Sequence, residues 1–469
     1  MTPFQITGFR RILDRRADFA NNSPMNSPLP PISRRRFLEK SAIAAATVPA
    51  FGGLILSSSN ARAAVGANDK IRIGLIGSGG RGRDVLGVFL SNPEIECPIV
   101  CDVDDKMSSQ GAAIVEKQRG KNPDTTKDFR RVIERKDLDC VLVATPDHWH
   151  ALPTIYACQS GKDVYVEKPL ATSIDEGRAM LTASQKHQRV VQMGTQWRSG
   201  EKWKAAVNYV QSGKLGKIGL VRGWVYLDWL GNIGNPADAP VPAGVDYDLW
   251  LGPAPKRPFN PNRFHFNFRW FWDYAGGLMT DWGVHLINIM MWAMGPTPPK
   301  SIYSSGGKFV LNDNSETPDT QAAIYEFPTY TMIWEHKVGI NNGLNDHPWG
   351  ISFTGSDGTL IIHDGGWEVI PERKKKTFEP QKFGNGPDER FPHVRNFLDC
   401  MKTRQQPNEN LEVGHFVSSV AHLGNISLRT KSKIDWDAKN ERIIGNKKAD
   451  HLVGVEYRKP WKLPYGKRS

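Results

Sequence analysis

A six-residue apolar run, IRIGLI at 71–76, passes without a break into GSGGRG at 77–82 and then into a helical pattern, RDVLGVFL. No other feature constrains the fold of this chain as strongly. So short and so apolar a run suits a strand buried on both faces. Gly77, Gly79 and Gly82 keep the spacing G-x-G-x-x-G. The first glycine permits a tight turn, the second lets backbone approach a pyrophosphate, and the third lets helix pack on strand. Gly80 and Arg81 lie in the same turn, where helix N-terminal amides face an anion. A second apolar run, 95–101, ends at Asp102, twenty residues past Gly82. A carboxylate there accepts the ribose hydroxyls of NAD and repels a 2′-phosphate, although Lys106 nearby leaves NADP open.

The alternation continues. Helical 127–135 precedes strand 139–144, helical 151–160 precedes strand 163–167, and helical 174–187 precedes strand 189–193. Strands separated by helix-length segments imply right-handed crossovers and a parallel sheet, with ligands at the carboxyl ends of the strands. Two of those ends carry polar clusters, TPDHWH at 145–150 and EKP at 167–169. Pro169 disfavours helix at the residue before it, which aims Lys168 outward. Thr145, Pro146, His150 and Glu167 are read with Lys168 as cofactor-side residues. For the cluster containing Asp147, His148 and His150, structural packing is the alternative to a pocket wall.

The first 63 residues stand apart. They hold nine Lys/Arg against three Asp/Glu, half of the net +12, so the remainder is only mildly basic. No basic run is interleaved with aromatics, which argues against nucleic acid. SRRRFL at 33–38, an apolar run at 41–56 and Ala61-Arg62-Ala63 have the layout of an export signal, and the arginine pair followed by Phe37-Leu38 resembles a twin-arginine signal. The expectation is a removed leader over 1–63, use of the twin-arginine machinery and a periplasmic or otherwise exported protein; Met1 and Met25 are both possible starts. No run reaches the length needed to span a membrane. Five cysteines without CxxC spacing read as buried free thiols.

GSGGRG, CDVD, TPDHWH, VEKPL and, later, GGLMTDWGVHLIN at 276–288 occur in this order. The set resembles the Gfo/Idh/MocA family (glucose–fructose oxidoreductase, inositol dehydrogenase and rhizopine-catabolism proteins) over about 70–436. The resemblance implies an α/β chain, with a Rossmann dinucleotide-binding domain (64–195) followed by an α/β domain (196–469) built on a large, mostly antiparallel sheet. It implies an NAD(P)-dependent oxidoreductase with a sugar, glycoside or cyclitol in the cleft between them and no metal. It also allows a homo-oligomer formed through the C-terminal sheet.

Oxidising a secondary alcohol sends hydride to the nicotinamide and needs a base for the hydroxyl proton. By the resemblance, Lys168 hydrogen-bonds that hydroxyl and His285 is the acid/base. Asp281 and His285, spaced i, i+4, share a face if the helix is continuous, so the carboxylate would orient the imidazole. Without the resemblance, a structural helix contact is the alternative. Nine of fifteen tryptophans fall between Trp197 and Trp292, and a loop-like stretch covers about 48 residues, 228–275. Loops that long in compact domains are usually functional. Trp197, Arg198, Arg269, Trp270 and Trp272 are the candidate substrate residues, with simple stapling of the loop as the alternative for the indoles. Two rival readings remain: a glycoside hydrolase or lyase running an internal oxidation–elimination cycle, and a sugar-binding module without turnover.

Overall fold

The computed structural model describes residues 70–228 and 232–466. The expected leader lies outside the described residues. The first half alternates strictly: β1 (Ile71–Ile76), α1 (Gly80–Leu90), β2 (Ile95–Cys101), α2 (Asp105–Arg119), β3 (Asp124–Thr126), α3 (Phe129–Glu134), β4 (Cys140–Val143), α4 (Ala151–Gln159), β5 (Asp163–Val166), α5 (Ile174–Lys186) and β6 (Val191–Met193). All its strand pairs are parallel, in the order β3-β2-β1-β4-β5-β6. β4 and β5 are buried along their whole length, which is why they read as unbroken apolar runs. Strand order reverses between β1 and β4, and a crevice opens there at the strand ends. α2 was not anticipated because its composition is polar. Its ends are nevertheless marked: the Asp104 carboxylate accepts the Lys106 amide, and Gly120 closes it at φ 68°.

The second half comprises α6 (Glu201–Gln211), β7 (Ile218–Leu227), α7 (Tyr247–Leu251), α8 (Gly277–Asp281), α9 (Gly283–Met294), β8 (Ser301–Gly307), β9 (Thr320–Glu326), β10 (Thr331–Val338), β11 (Trp349–Gly355), β12 (Gly358–His363), β13 (Gly366–Pro371), β14 (Gln381–Phe383), α10 (Arg390–Thr403), α11 (Leu411–Thr430), β15 (Ile434–Asp437) and β16 (Arg442–Ile444). The strands form a ten-stranded sheet in the order β14-β13-β12-β11-β7-β10-β9-β8-β15-β16, antiparallel except for β7 with β10. β8 stops at Gly307. The Asp319 carboxylate captures the amides of Phe309, Val310 and Leu311, which can no longer serve a ladder. α9 packs on the sheet where Gly223 leaves room for Met290.

The chain then returns to the first half. Val394, Phe397 and Leu398 of α10 join the core of Phe89 and Tyr165, and α11 packs on α5. Both halves thus lie within one packing unit, Ala63–Ser469. The five cysteines are buried free thiols.

Candidate active site

Where β1 ends, Gly77 turns at φ +90°, and a Cβ there would sit 2.6 Å from the Thr145 amide nitrogen. A Cβ on Gly82 would strike the Gly77 carbonyl oxygen at 2.0 Å, so Gly82 is the packing glycine beneath the turn. Gly79 and Gly80 face open space. α1 begins at Gly79 with no side-chain cap and no acidic residue in its first turn, which leaves its amides available to an anion. Asp102 is held at the crevice by the Ser78 amide (2.7 Å) and the Asp104 amide (3.0 Å). Burial raises its carboxyl, and those amide bonds oppose the rise. A cleft of about 870 Å³ runs from this turn to the second half. Glycines opening onto free space, bare helix amides and a tethered carboxylate together fit a dinucleotide.

Arg81 leans along the cleft wall. Its Nε donates to Glu167 Oε1 (2.8 Å) and a terminal nitrogen to Asp84 (2.9 Å). Glu167 therefore anchors Arg81 and also accepts the Lys168 amide at 3.2 Å. Lys168 reaches across to the second half. Its ammonium donates to Asp281 Oδ1 at 2.5 Å and to the Asp281 carbonyl oxygen at 2.8 Å, with both side chains over 85 % buried. An ammonium has three donors, so one remains for another acceptor in the cleft.

The expected continuous helix is broken. α8 ends at Asp281, α9 begins at Gly283, and the His285 amide bonds to the Trp282 carbonyl. The Asp281 carbonyl is released for Lys168. The Asp281 carboxylate pairs with Lys168 and with Arg269 Nε (3.3 Å), so the expected Asp281–His285 orientation gives way to a Lys168–Asp281–Arg269 group. Although burial pushes the Asp281 carboxyl up, those cations hold it far below the ordinary carboxylate range. His285 lines the same cleft. Among the described residues its Nδ1 has no hydrogen-bond partner, and its ring lies 5.0 Å from the Trp197 ring. Burial, then the positive charges of Lys168 and Arg81, hold the imidazole well below its usual range and hence neutral.

TPDHWH divides. Thr145, Pro146, Asp147 and Trp149 line the cleft. His150 does not: it is fully buried, with Nδ1 2.7 Å from the Pro169 carbonyl oxygen and Nε2 3.0 Å from that of Thr145. Its role as a cofactor contact is corrected to that of a brace between two strand-end turns. His148 is likewise tied to the Trp250 carbonyl oxygen (2.9 Å), and burial lowers it to about 4. Asp147, 7 % exposed, takes no hydrogen bond from any other described residue. Burial pushes its carboxyl up to about 8 against the pull of Lys168 and Arg269.

Among the substrate candidates, Trp197 and Arg269 line the cleft. Trp197 stacks on Trp203 with ring centroids 4.2 Å apart. Three candidates do not line it. Arg198 turns into a buried network with Asn288 (2.6 Å) and Glu409 (3.2 Å). Trp270 is core, and Trp272 donates to the Glu316 carbonyl. Residues not anticipated include His265, Phe266, Phe268 and Trp282. The long connection, whose residues 229–231 lie outside the described set, is strapped over the cofactor end. His265 Nε2 meets Asp104 Oδ2 at 2.8 Å, Lys127 donates to the Gly244 carbonyl at 2.8 Å, and the Asp246 amide bonds to the Val103 carbonyl. Away from the cleft, His347, His363 and Asp364 come within 4.8 Å of one another. The two rings stack at 3.8 Å, so their in-plane lone pairs run side by side rather than converging.

A parallel dinucleotide-binding sheet joined to an open antiparallel sheet, with a buried Lys–Asp pair and a neutral histidine in the cleft, defines an NAD-dependent oxidoreductase. Family models agree. "Oxidoreductase family, NAD-binding Rossmann fold" matches residues 71–195, and "Oxidoreductase family, C-terminal alpha/beta domain" matches 210–304 and 349–463. The chain belongs to the Gfo/Idh/MocA oxidoreductase family. It is 34% identical to a glycosyl hydrolase family 109 protein of Saccharopolyspora erythraea over 130 residues, 26% of this chain and 28% of that one. It is 27% identical to levoglucosan dehydrogenase of Pseudarthrobacter phenanthrenivorans over 174 residues, 35% and 43% of the two chains. The chain thus spans less than half the length of these curated relatives. The solved structure of a levoglucosan dehydrogenase with NADH and levoglucosan shares the fold at TM-score 0.61 and 18% identity, covering 78% of this chain and 99% of that one.

Proposed function

We propose that this protein oxidises a secondary hydroxyl of a sugar, glycoside or cyclitol, with residues 64–195 holding NAD and 196–469 supplying the substrate side. The observation that carries the reading is the 2.5 Å Lys168–Asp281 pair, set beside His285 in the cleft that begins at the glycine turn. Bound NAD supplies the hydride acceptor. Asp281 fixes the Lys168 ammonium in direction, and the remaining N–H of Lys168 polarises the reacting hydroxyl. The neutral imidazole of His285 takes the hydroxyl proton. Trp197 offers an indole face for the C–H face of a sugar ring, and the His265–Asp104 contact holds the strap over the cofactor end. The levoglucosan dehydrogenase relative supports a sugar substrate.

A second reading is favoured by other relatives, among them an alpha-N-acetylgalactosaminidase of Shewanella oneidensis, 28% identical over 152 residues, 32% of this chain and 33% of that one. In it the oxidation is transient and a glycosidic bond is cleaved. We propose further that the 1–63 leader directs export through the twin-arginine route. A second copy would cover the open sheet face, where Tyr303 and Ile324 are exposed opposite one another. The test of function is to purify the processed protein, identify the copurifying nucleotide and screen sugars and glycosides for nicotinamide reduction. The expected result is reduction by at least one sugar class. A chain that binds no nicotinamide nucleotide contradicts the reading.

A further inference from the structure

The oxidation described above needs one base and one polarising cation. Lys168, Asp281 and His285 supply both, so Asp147 is left over. It sits on the turn after β4, faces the cleft, and is more than nine-tenths buried with no partner from another described residue. Burying an unpaired carboxyl is costly, and such groups cluster where chemistry needs them. The turn is also held rigidly. His148 ties it to the Trp250 carbonyl, and the buried His150 ring is wedged between the Thr145 and Pro169 carbonyl oxygens, which fixes the backbone that carries Asp147. The charged groups that act on it are Lys168 from the turn after β5, Arg269 from the long connection and Asp281 from the end of α8.

We propose that Asp147 is a catalytic acid that protonates a departing substrate oxygen, so that the cleft breaks a carbon–oxygen bond near the oxidised carbon instead of stopping at the ketone. This rests on the second reading above, transient oxidation with cleavage of a glycosidic bond, and adds the acid that the cleavage needs. Once the hydroxyl carbon is a ketone and its hydroxyl proton has passed through His285 to solvent, the neighbouring C–H is acidic. Its proton goes to the neutral imidazole and its electron pair forms a carbon–carbon double bond. The pair of the breaking C–O bond leaves on oxygen, which takes the Asp147 proton. Water then adds to the alkene: its oxygen bonds to the carbon that lost the leaving group, its proton restores Asp147, and the proton on His285 returns to the neighbouring carbon. Hydride returns to the carbonyl carbon with a proton from solvent. The balance is one water consumed and one C–O bond hydrolysed, with no net redox change.

The test compares the NAD-loaded protein with Asp147→Asn on methyl and 4-nitrophenyl glycosides of hexoses and N-acetylhexosamines. Single-turnover nicotinamide reduction and leaving-group release are followed separately. The expected result is a ratio of methanol release to nicotinamide reduction lower than in the wild type by about 30-fold or more. Nitrophenolate release should fall by less than about 10-fold, because that oxygen leaves without a proton. Equal losses for the two leaving groups, or reduction and release falling together, overturn the assignment, as does wild-type behaviour in both. If the wild type reduces nicotinamide but releases nothing, the acid role fails while the oxidoreductase reading stands. If no glycoside reduces nicotinamide, the oxidoreductase reading itself fails. Infrared spectra of the substrate-free protein at neutral pH judge Asp147 separately. A protonated-carboxyl band lost in Asp147→Asn is expected, and its absence from the wild type overturns the proposal.

Discussion

The two walls of the cleft are built by opposite strategies. The cofactor wall is local: β1, the glycine turn and α1 are contiguous, Asp102 follows directly on β2, and Lys168 comes two residues past β5. The substrate wall is assembled from afar. His285 and Asp281 come from two helices meeting at Trp282, Trp197 from the turn before α6, and Phe268 and Arg269 from a connection strapped to the other half. A local wall is specified by short-range sterics, such as the impossibility of a side chain at Gly77 or Gly82. A wall assembled at long range depends on pairings that no sequence window contains. The contact joining the two walls, Lys168 to Asp281, spans 113 residues.

Cutting that contact should have the largest effect. Lys168→Ala is expected to lower kcat by about 1,000-fold or more, with NAD affinity within about 2-fold by fluorescence titration. Loss of both together would mean that the lysine belongs to the cofactor wall alone. Next comes the substrate wall's own support. Arg198→Ala leaves the Glu409 carboxyl, raised by burial to about 7, without the cation that pulls it down, and should cost about 2 kcal/mol of stability well above neutral pH. Below the folded value the carboxyl is protonated with or without Arg198, so the extra loss is absent there and grows as pH rises above about 7 toward the variant's higher folded pKa. The loss should therefore shrink below about pH 7 in chemical denaturation. A loss independent of pH would place the cost in packing instead.

His285 gives a sharper comparison at smaller amplitude. A base held neutral by burial and neighbouring cations stays active below its ordinary range. The kcat/KM of the wild type should hold to well below pH 6.5 on the acid side, and an acid limb near 6.5 would contradict the neutral-imidazole reading. The smallest effect is expected where the strap crosses between walls. His265→Ala removes the 2.8 Å contact with Asp104 and should weaken NAD binding by about 3- to 10-fold, mainly through faster release in stopped-flow displacement. An unchanged release rate would show that the strap is held elsewhere.

The same asymmetry explains how much was readable. Apart from β3, three residues long and largely exposed, the strands and turns of the first half were visible to within a residue or two, because parallel strands buried on both faces are unbroken apolar runs and the glycine spacing has few uses. α2 escaped because it is mostly polar, although Asp104 and Gly120 mark its ends. In the second half β14, β15 and β16 have three or four residues each, too few for an alternating pattern to mark them. The i, i+4 argument for Asp281 and His285 failed for a physical reason: it assumed an unbroken helix, while the Asp281 carbonyl is diverted to Lys168. His150 was misplaced because its carbonyl partners, Thr145 and Pro169, meet only in the folded sheet. Asp147 stood in a noticed motif, yet its isolation as a buried acid became visible only with the cleft around it.

The central claim is that an amine and an imidazole from opposite walls act on one substrate hydroxyl beside bound NAD. Its most direct test is single-turnover nicotinamide absorbance for the NAD-loaded wild type, Lys168→Ala and His285→Ala proteins against one sugar panel. Rapid reduction in the wild type and none in either variant, with nucleotide still bound in all three, is the predicted result. Reduction at wild-type rates in either variant contradicts it.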